Sequence, residues 1–145
     1  MFMMFKNGVK KMDITAINQS LRLSIENKAT FPEHVRTVSE AGVIGYLVDL
    51  LRGFVTYYDI NNDTHQATLN RTFEANNSPF SKEKTTQAIL DIQGGKISYV
   101  DFLDRIYQAG IRSYEVDIQG KQVIYSSDKE ENHIEPFPSK PKNDQ

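Results

Sequence analysis

The chain has no cysteine, which excludes disulfides, a thiolate nucleophile and any cysteine-held zinc site. It has no strong excess of either charge: 17 Lys and Arg stand against 19 Asp and Glu, a net charge of −2. A nucleic-acid surface would need a basic stripe, and none is present, so no nucleic-acid partner is expected. No apolar run approaches the ~20 residues that span a bilayer. The opening MFMMFKNGVKK sets its lysines after a short apolar run, the reverse of a secretory signal. A cytoplasmic location without membrane contact is therefore expected, with MFMMF either packed on the fold or left as a sticky end. Also missing are a glycine-rich phosphate loop, His-Glu-x-x-His, Gly-x-Ser-x-Gly and an EF-hand loop. Nothing implies a cofactor. The remainder is ordinary: 145 residues, 39% hydrophobic and 25% charged, suffice for one hydrophobic core.

What is present is a repeat. Shifted by 68 positions without gaps, the chain matches itself. Gln19 falls on Gln87, Lys28 on Lys96, Ala41-Gly42 on Ala109-Gly110, and Tyr46 on Tyr114. Val48-Asp49 falls on Val116-Asp117, Val55 on Val123, Tyr57 on Tyr125, and His65 on His133. Phe31 and Tyr99, Val35 and Leu103, and Val38 and Ile106 keep the apolar spacing between the identities. An internal repeat of this length is one structural unit used twice.

Each copy reads the same way. Asp13 and Ser81 stand as N-caps. Ile14, Ile17, Leu21 and Ile25 follow at helical spacing, with a thinner stripe of Ala88, Ile89 and Ile92 in the second copy. Asn27 and Gly94-Gly95 stop these helices. Thr30-Phe31-Pro32-Glu33 has capping-box form, and Ser98-Tyr99-Val100-Asp101 is its counterpart. Gly42 and Gly110 then suit a left-handed helix end. The alternation of Tyr114, Val116 and Ile118 predicts a strand that turns at Gln119-Gly120 and returns over 122–126, setting Val116 opposite Val123 and Tyr114 opposite Tyr125. Leu51-Arg52-Gly53 reads as a three-residue loop in the first copy. Third strands are expected around 64–69 and 132–137. The expected fold is α+β: an internally duplicated helix–helix–strand–strand–strand unit, with one antiparallel sheet and the helices packed on one face. Residues 1–138 are expected to form a single domain of two repeats, about 13–70 and 81–138, followed by a disordered tail over 139–145.

Candidate site residues come from the matched positions. Asp49 and Asp117 face away from the tyrosines; they serve either as sheet-surface carboxylates or as a pair near a two-fold axis able to bind a cation or share a proton. Tyr46, Tyr57, Tyr114 and Tyr125 share a face, either as core or as the lining of a cleft. A ligand site would use Tyr46, Tyr114, Asp49 and Asp117. His65 and His133 are the only metal candidates, short of the three or four ligands zinc wants, so no metal site is assigned. His34 has no matched histidine and is expected on a helix surface. The face opposite the tyrosines is apolar in the first copy, at Leu47 and Phe54, so a cover there is expected: the N-terminal segment, the linker or a second subunit.

Ala29-Thr30-Phe31-Pro32, Ala41-Gly42-Val43, Gln93-Gly94-Gly95-Lys96-Ile97-Ser98-Tyr99, Ala109-Gly110-Ile111 and Tyr114-Glu115-Val116-Asp117 resemble a known family. It is the small bacterial domain-of-unknown-function family typified by YbcV, often labelled "phage envelope protein". The resemblance covers about residues 26–138. Tyr114 departs from it, standing where the family often has tryptophan, and the matched histidines are outside its pattern. The resemblance implies no activity, cofactor or catalytic residue, and no membrane segment supports the envelope label.

The expected function is non-catalytic: a small binding or interaction module with a protein partner or a second copy of itself. The alternatives are a small-ligand-binding protein or enzyme with its site where the two copies meet, and a prophage-derived structural component.

Overall fold

The structure, a computed structural model, describes the backbone of residues 5–6 and 9–138, with side chains from residue 11 onward. The expected packing of MFMMF and the expected tail after Pro138 lie outside the described residues.

Two short strands, β1 (Phe5–Lys6) and β2 (Val9–Lys10), pair antiparallel. Then come α1 (Ile14–Ile25), α2 (Phe31–Glu40), β3 (Gly45–Asp49), β4 (Phe54–Tyr58) and β5 (Thr64–Thr68). The same series returns as α3 (Lys82–Gln93), α4 (Tyr99–Gln108), β6 (Ser113–Asp117), β7 (Gln122–Ser126) and β8 (Asn132–Pro136). Every bound in the second series lies sixty-eight residues after its counterpart.

The local chemistry that starts and stops these elements is also shared. Asp13 and Ser81 each accept from a backbone N–H in the first turn of the helix they open. Thr30 with Glu33 and Ser98 with Asp101 form reciprocal capping boxes. At the far ends the N–H of Val43 donates to Val38 O at 3.0 Å and that of Ile111 to Ile106 O at 3.0 Å. This closure needs a left-handed residue just before, and Gly42 (φ 101°) and Gly110 (φ 89°) supply it. Left-handed backbone recurs at the same offset elsewhere: Asn27 with Gly95, Gly53 with Lys121, Asn62 with Glu130.

The strands form one six-stranded antiparallel sheet in the order β5-β4-β3-β6-β7-β8. The two units join through β3 and β6, where Leu47 lies directly opposite its counterpart Glu115. A local two-fold axis therefore passes through the centre of the sheet. Tyr114 pairs with Tyr125 and Val116 with Val123, as the alternation predicts. The turn itself differs from the expected two-residue form. Residues 118–121 connect the strands, with Lys121 left-handed at φ 55°, and residues 50–53 do the same in the first unit. The register survives because the longer connection is centred on the same point.

One sheet face carries Tyr46, Val48, Val55, Tyr57, Tyr114, Val116, Val123 and Tyr125, all buried against the helices with Ile17, Leu21, Val38, Ile89, Leu103 and Ile106. The other face keeps exposed apolar residues. Leu47 and Phe54 remain exposed there, joined by Ile134. Of the expected covers, the linker goes elsewhere. Arg71 pairs with Asp104 on α4, Phe73 stacks on Tyr107 at 4.8 Å, and Asn76 is held by Arg112. Arg112 is buried and stacks over Tyr107 at 4.1 Å from the ring centre. Its guanidinium donates to Tyr107 O, Ile111 O and Asn76 Oδ1, at 2.9, 3.0 and 2.8 Å.

Candidate functional site

The helix layer and the sheet do not close on each other completely. Between them lies a cavity of about 880 Å³. Its floor is Tyr46, Val48, Val55 and Tyr57 from the first unit and Tyr114, Val123 and Tyr125 from the second. Leu21, His34, Ile89, Ile92 and Phe102 form the helix side, and Phe31, Tyr99 and Phe137 line it as well. Lys28, Thr30 and Glu33 on one hand and Lys96, Ser98 and Asp101 on the other border it as counterpart sets. Five of these six, all but Ser98, are exposed, so the cavity has a polar rim and an apolar, tyrosine-studded interior.

The tyrosine hydroxyls divide unequally. In the first unit Tyr57 meets His34 Nε2 at 3.0 Å, and His34 Nδ1 meets Ser20 Oγ at 2.7 Å. The Ser24 hydroxyl donates to the Ser20 carbonyl at 3.1 Å. In the second unit the places of Ser20, Ser24 and His34 are taken by Ala88, Ile92 and Phe102. Tyr125 therefore stands where Tyr57 does but has no imidazole to meet. The converse holds for the other pair. Tyr99 and Tyr114 share a hydrogen bond of 2.6 Å, whereas the first unit has Phe31 at the position of Tyr99, with no hydroxyl to offer Tyr46. Among the described residues the Tyr46 and Tyr125 hydroxyls have no hydrogen-bond partner, although the side chains are only 3% and 6% exposed.

The interior is electrically neutral at ordinary pH. Burial raises the Tyr46, Tyr57, Tyr114 and Tyr125 hydroxyls well above the usual phenol value and pushes Tyr99 up to about 12. Burial also lowers His34 to about 4, against a smaller opposing effect of its hydrogen bond with Ser20. All five phenols thus keep their protons, and the imidazole is uncharged. Glu135 borders the cavity beside Tyr125 and is tied to His133 Nε2 at 2.9 Å. Among the described residues no group of three or more His, Asp or Glu is placed to hold a metal ion. No helix among them is long and apolar enough to cross a membrane.

Residues 5–67 match the model of a family described as Protein of unknown function (DUF1398). The match covers the first unit and less than half of the chain. It includes His34, Tyr46 and Tyr57, which line the cavity, and Ser20, which hydrogen-bonds His34 from behind. The expected likeness to a family of unknown function is met over these residues, and the match brings neither an activity nor a phage label. No curated protein matches the chain.

The structure brings Tyr46 and Tyr114 together on the cavity floor but not Asp49 and Asp117. Those aspartates lie at opposite ends of the β3–β6 pair, opposite Ser113 and Gly45. Each caps its own hairpin: Asp49 Oδ1 accepts from Arg52 N at 3.0 Å and Asp117 Oδ1 from Gly120 N at 2.8 Å. A shared proton or cation between them is thus out of reach. His65 and His133 occupy the two edge strands, five strand spacings or about 24 Å apart, so they cannot meet at one metal. They flank the tyrosine row instead, stacked on Tyr57 and Tyr125, each at 6.4 Å between centroids.

His34 corrects the expectation of a surface residue: it is buried at the centre of the first unit's hydrogen-bond chain. Its position carried a signal. It lies three residues after Phe31 and four before Val38, inside the apolar stripe of α2, and its counterpart is the buried Phe102. Tyr99 and Phe102 would have emerged from the same comparison.

Proposed function

We propose that this protein binds a small molecule in the cavity between its two repeats, without transforming it. The observation that carries this reading is the cavity itself: about 880 Å³, floored by both units. Small-molecule sites run to roughly 300–1,000 Å³, apolar with a few placed polar groups, and lie where structural units meet. A well-packed interior would leave no such space. Phenols held protonated and a neutral imidazole supply hydrogen bonds but no nucleophile or charged base, which favours binding over chemistry.

The test is a titration of the full chain with Nile red, a neutral dye that brightens in apolar surroundings. The expected result is saturable, one-to-one brightening that is lost in Ile92→Trp or in Val123→Phe, each of which fills the cavity from a different wall. The absence of saturable binding, or binding indifferent to both filled variants that remain folded, would overturn the reading.

A further inference from the structure

The distribution of hydroxyl partners narrows the ligand's chemistry; this inference rests on the cavity being a binding site. Tyr46 and Tyr125 line the cavity, are more than nine-tenths buried, and have no hydrogen-bond partner among the described residues. Neither hydroxyl oxygen is sealed off: each is open to whatever fills the cavity, and a phenol O–H there is free to donate to it. The other hydroxyls show that this fold can supply partners: Tyr57 has His34, and Tyr99 and Tyr114 have each other. The two that are missing trace to one substitution in each unit. Phe31 replaces the hydroxyl that Tyr99 provides, and Phe102 replaces the imidazole that His34 provides. Each unit thus leaves one donor free, and the two free donors are not counterparts. They sit on β3 and β7, with β6 between them, in rows two residues apart along the strands.

We propose that the cavity takes an uncharged, largely apolar molecule carrying two separated hydrogen-bond acceptors, of the diketone type, with one acceptor on the Tyr46 hydroxyl and the other on the Tyr125 hydroxyl. A phenol that keeps its proton donates best to a carbonyl or ether oxygen. A carboxylate is disfavoured inside. Its burial would require a paired cation, while Lys28 and Lys96 stay exposed at the rim and an acidic side chain, Glu135, already borders the cavity beside Tyr125. The hydrogen-bond chain through His34 and Ser20 gives the first unit's end more polarity than the Phe102 and Ala88 end. The ligand therefore has a defined orientation despite the two-fold fold.

Three matched probes test this by displacement of Nile red from the full chain: biphenyl with an acetyl group at each end, with an ethyl group at each end, and with a carboxylate at each end. The expected order is acetyl tightest, ethyl weaker by about tenfold for each hydroxyl engaged, and carboxylate weakest. In the Tyr46→Phe/Tyr125→Phe variant the acetyl and ethyl compounds should bind alike, with the ethyl affinity unchanged from wild type. Equal binding of acetyl and ethyl compounds to wild type, or tightest binding of the carboxylate, overturns the inference and leaves the cavity reading standing. Failure of Nile red and all three probes to bind overturns the cavity reading, and the inference with it. A Tyr57→Phe variant, whose hydroxyl is already partnered, should keep the acetyl preference; its loss there would contradict the assignment to Tyr46 and Tyr125.

Discussion

His34 and Phe102 occupy the same place in the two units, sixty-eight residues apart, and the difference between them leaves the Tyr57 hydroxyl partnered and the Tyr125 hydroxyl without a hydrogen-bond partner among the described residues. Together with Phe31 against Tyr99, this difference breaks the two-fold match of the units in the cavity. The break has consequences for stability, for pH dependence and for what the cavity can hold.

Removing a hydroxyl should cost stability only where it is bonded. Tyr57→Phe leaves His34 Nε2 buried without a partner, an expected loss of about 1–3 kcal/mol. Tyr46→Phe and Tyr125→Phe remove hydroxyls that have no hydrogen-bond partner among the described residues and should stay within about 0.5 kcal/mol of wild type. Urea unfolding of the three variants decides; equal losses in all three would show that Tyr46 and Tyr125 have partners after all.

The histidine predicts a pH signature. His34 is held at about 4 in the fold, while an unfolded chain has the ordinary value near 6.5. Above about pH 6.5 it is neutral in both states and contributes no pH dependence. As pH falls from there to about 4 the unfolded state takes up a proton that the fold refuses, so stability drops, by about 3 kcal/mol in total. Its neighbours Ser20, Tyr46 and Tyr57 do not titrate in that window. His34→Phe, which copies the second unit, should lose this part of the slope while the carboxylate contributions remain. Parallel curves for the two proteins would contradict the burial of His34.

Lys121 sits in left-handed backbone at φ 55° where the first unit has Gly53 at φ 76°. A side chain there costs roughly 1 kcal/mol relative to glycine. Lys121→Gly should therefore raise stability by about that amount. Gly53→Lys should lower it by more, because a Cβ at Gly53 would also press on the Arg71 carbonyl. Thermal unfolding of both exchanges gives the signs.

Arg112 should anchor the linker. Arg112→Met keeps the bulk but leaves Tyr107 O, Ile111 O and Asn76 Oδ1 without their donor, an expected loss of about 2–4 kcal/mol. Faster proteolysis between Arg71 and Phe80 should accompany it. Unchanged proteolysis would show that Phe73 and Arg71 hold the linker without it.

Much of the fold was legible because its signals are short-range. The caps at Asp13, Thr30, Ser81 and Ser98, and the glycines at 42 and 110, act over three or four residues, and the repeat states each of them twice. Strand register followed from alternation, which tolerates a misjudged turn. Strand order was less legible, since nothing local says whether the units join through β3 and β6 or through their outer strands. Asp49 and Asp117 were matched for a local reason, hairpin capping, which mimics functional recurrence in a repeated sequence. The cavity was invisible because its volume depends on how side chains from four helices meet seven floor residues across two layers. His34 was legible only by asking what stands at its offset position, and that comparison, Ser20–His34 against Ala88–Phe102, is where the two copies part.

The most direct measurement is a methyl NMR titration of the full chain with the bis-acetyl biphenyl. Saturable shifts are expected at Val48, Val55, Val123, Ile89 and Ile92, with Leu47, Ile124 and Ile134 on the opposite sheet face unmoved. Shifts confined to Leu47, Ile124 and Ile134, or no saturable shift at the cavity methyls, would contradict binding in the cavity.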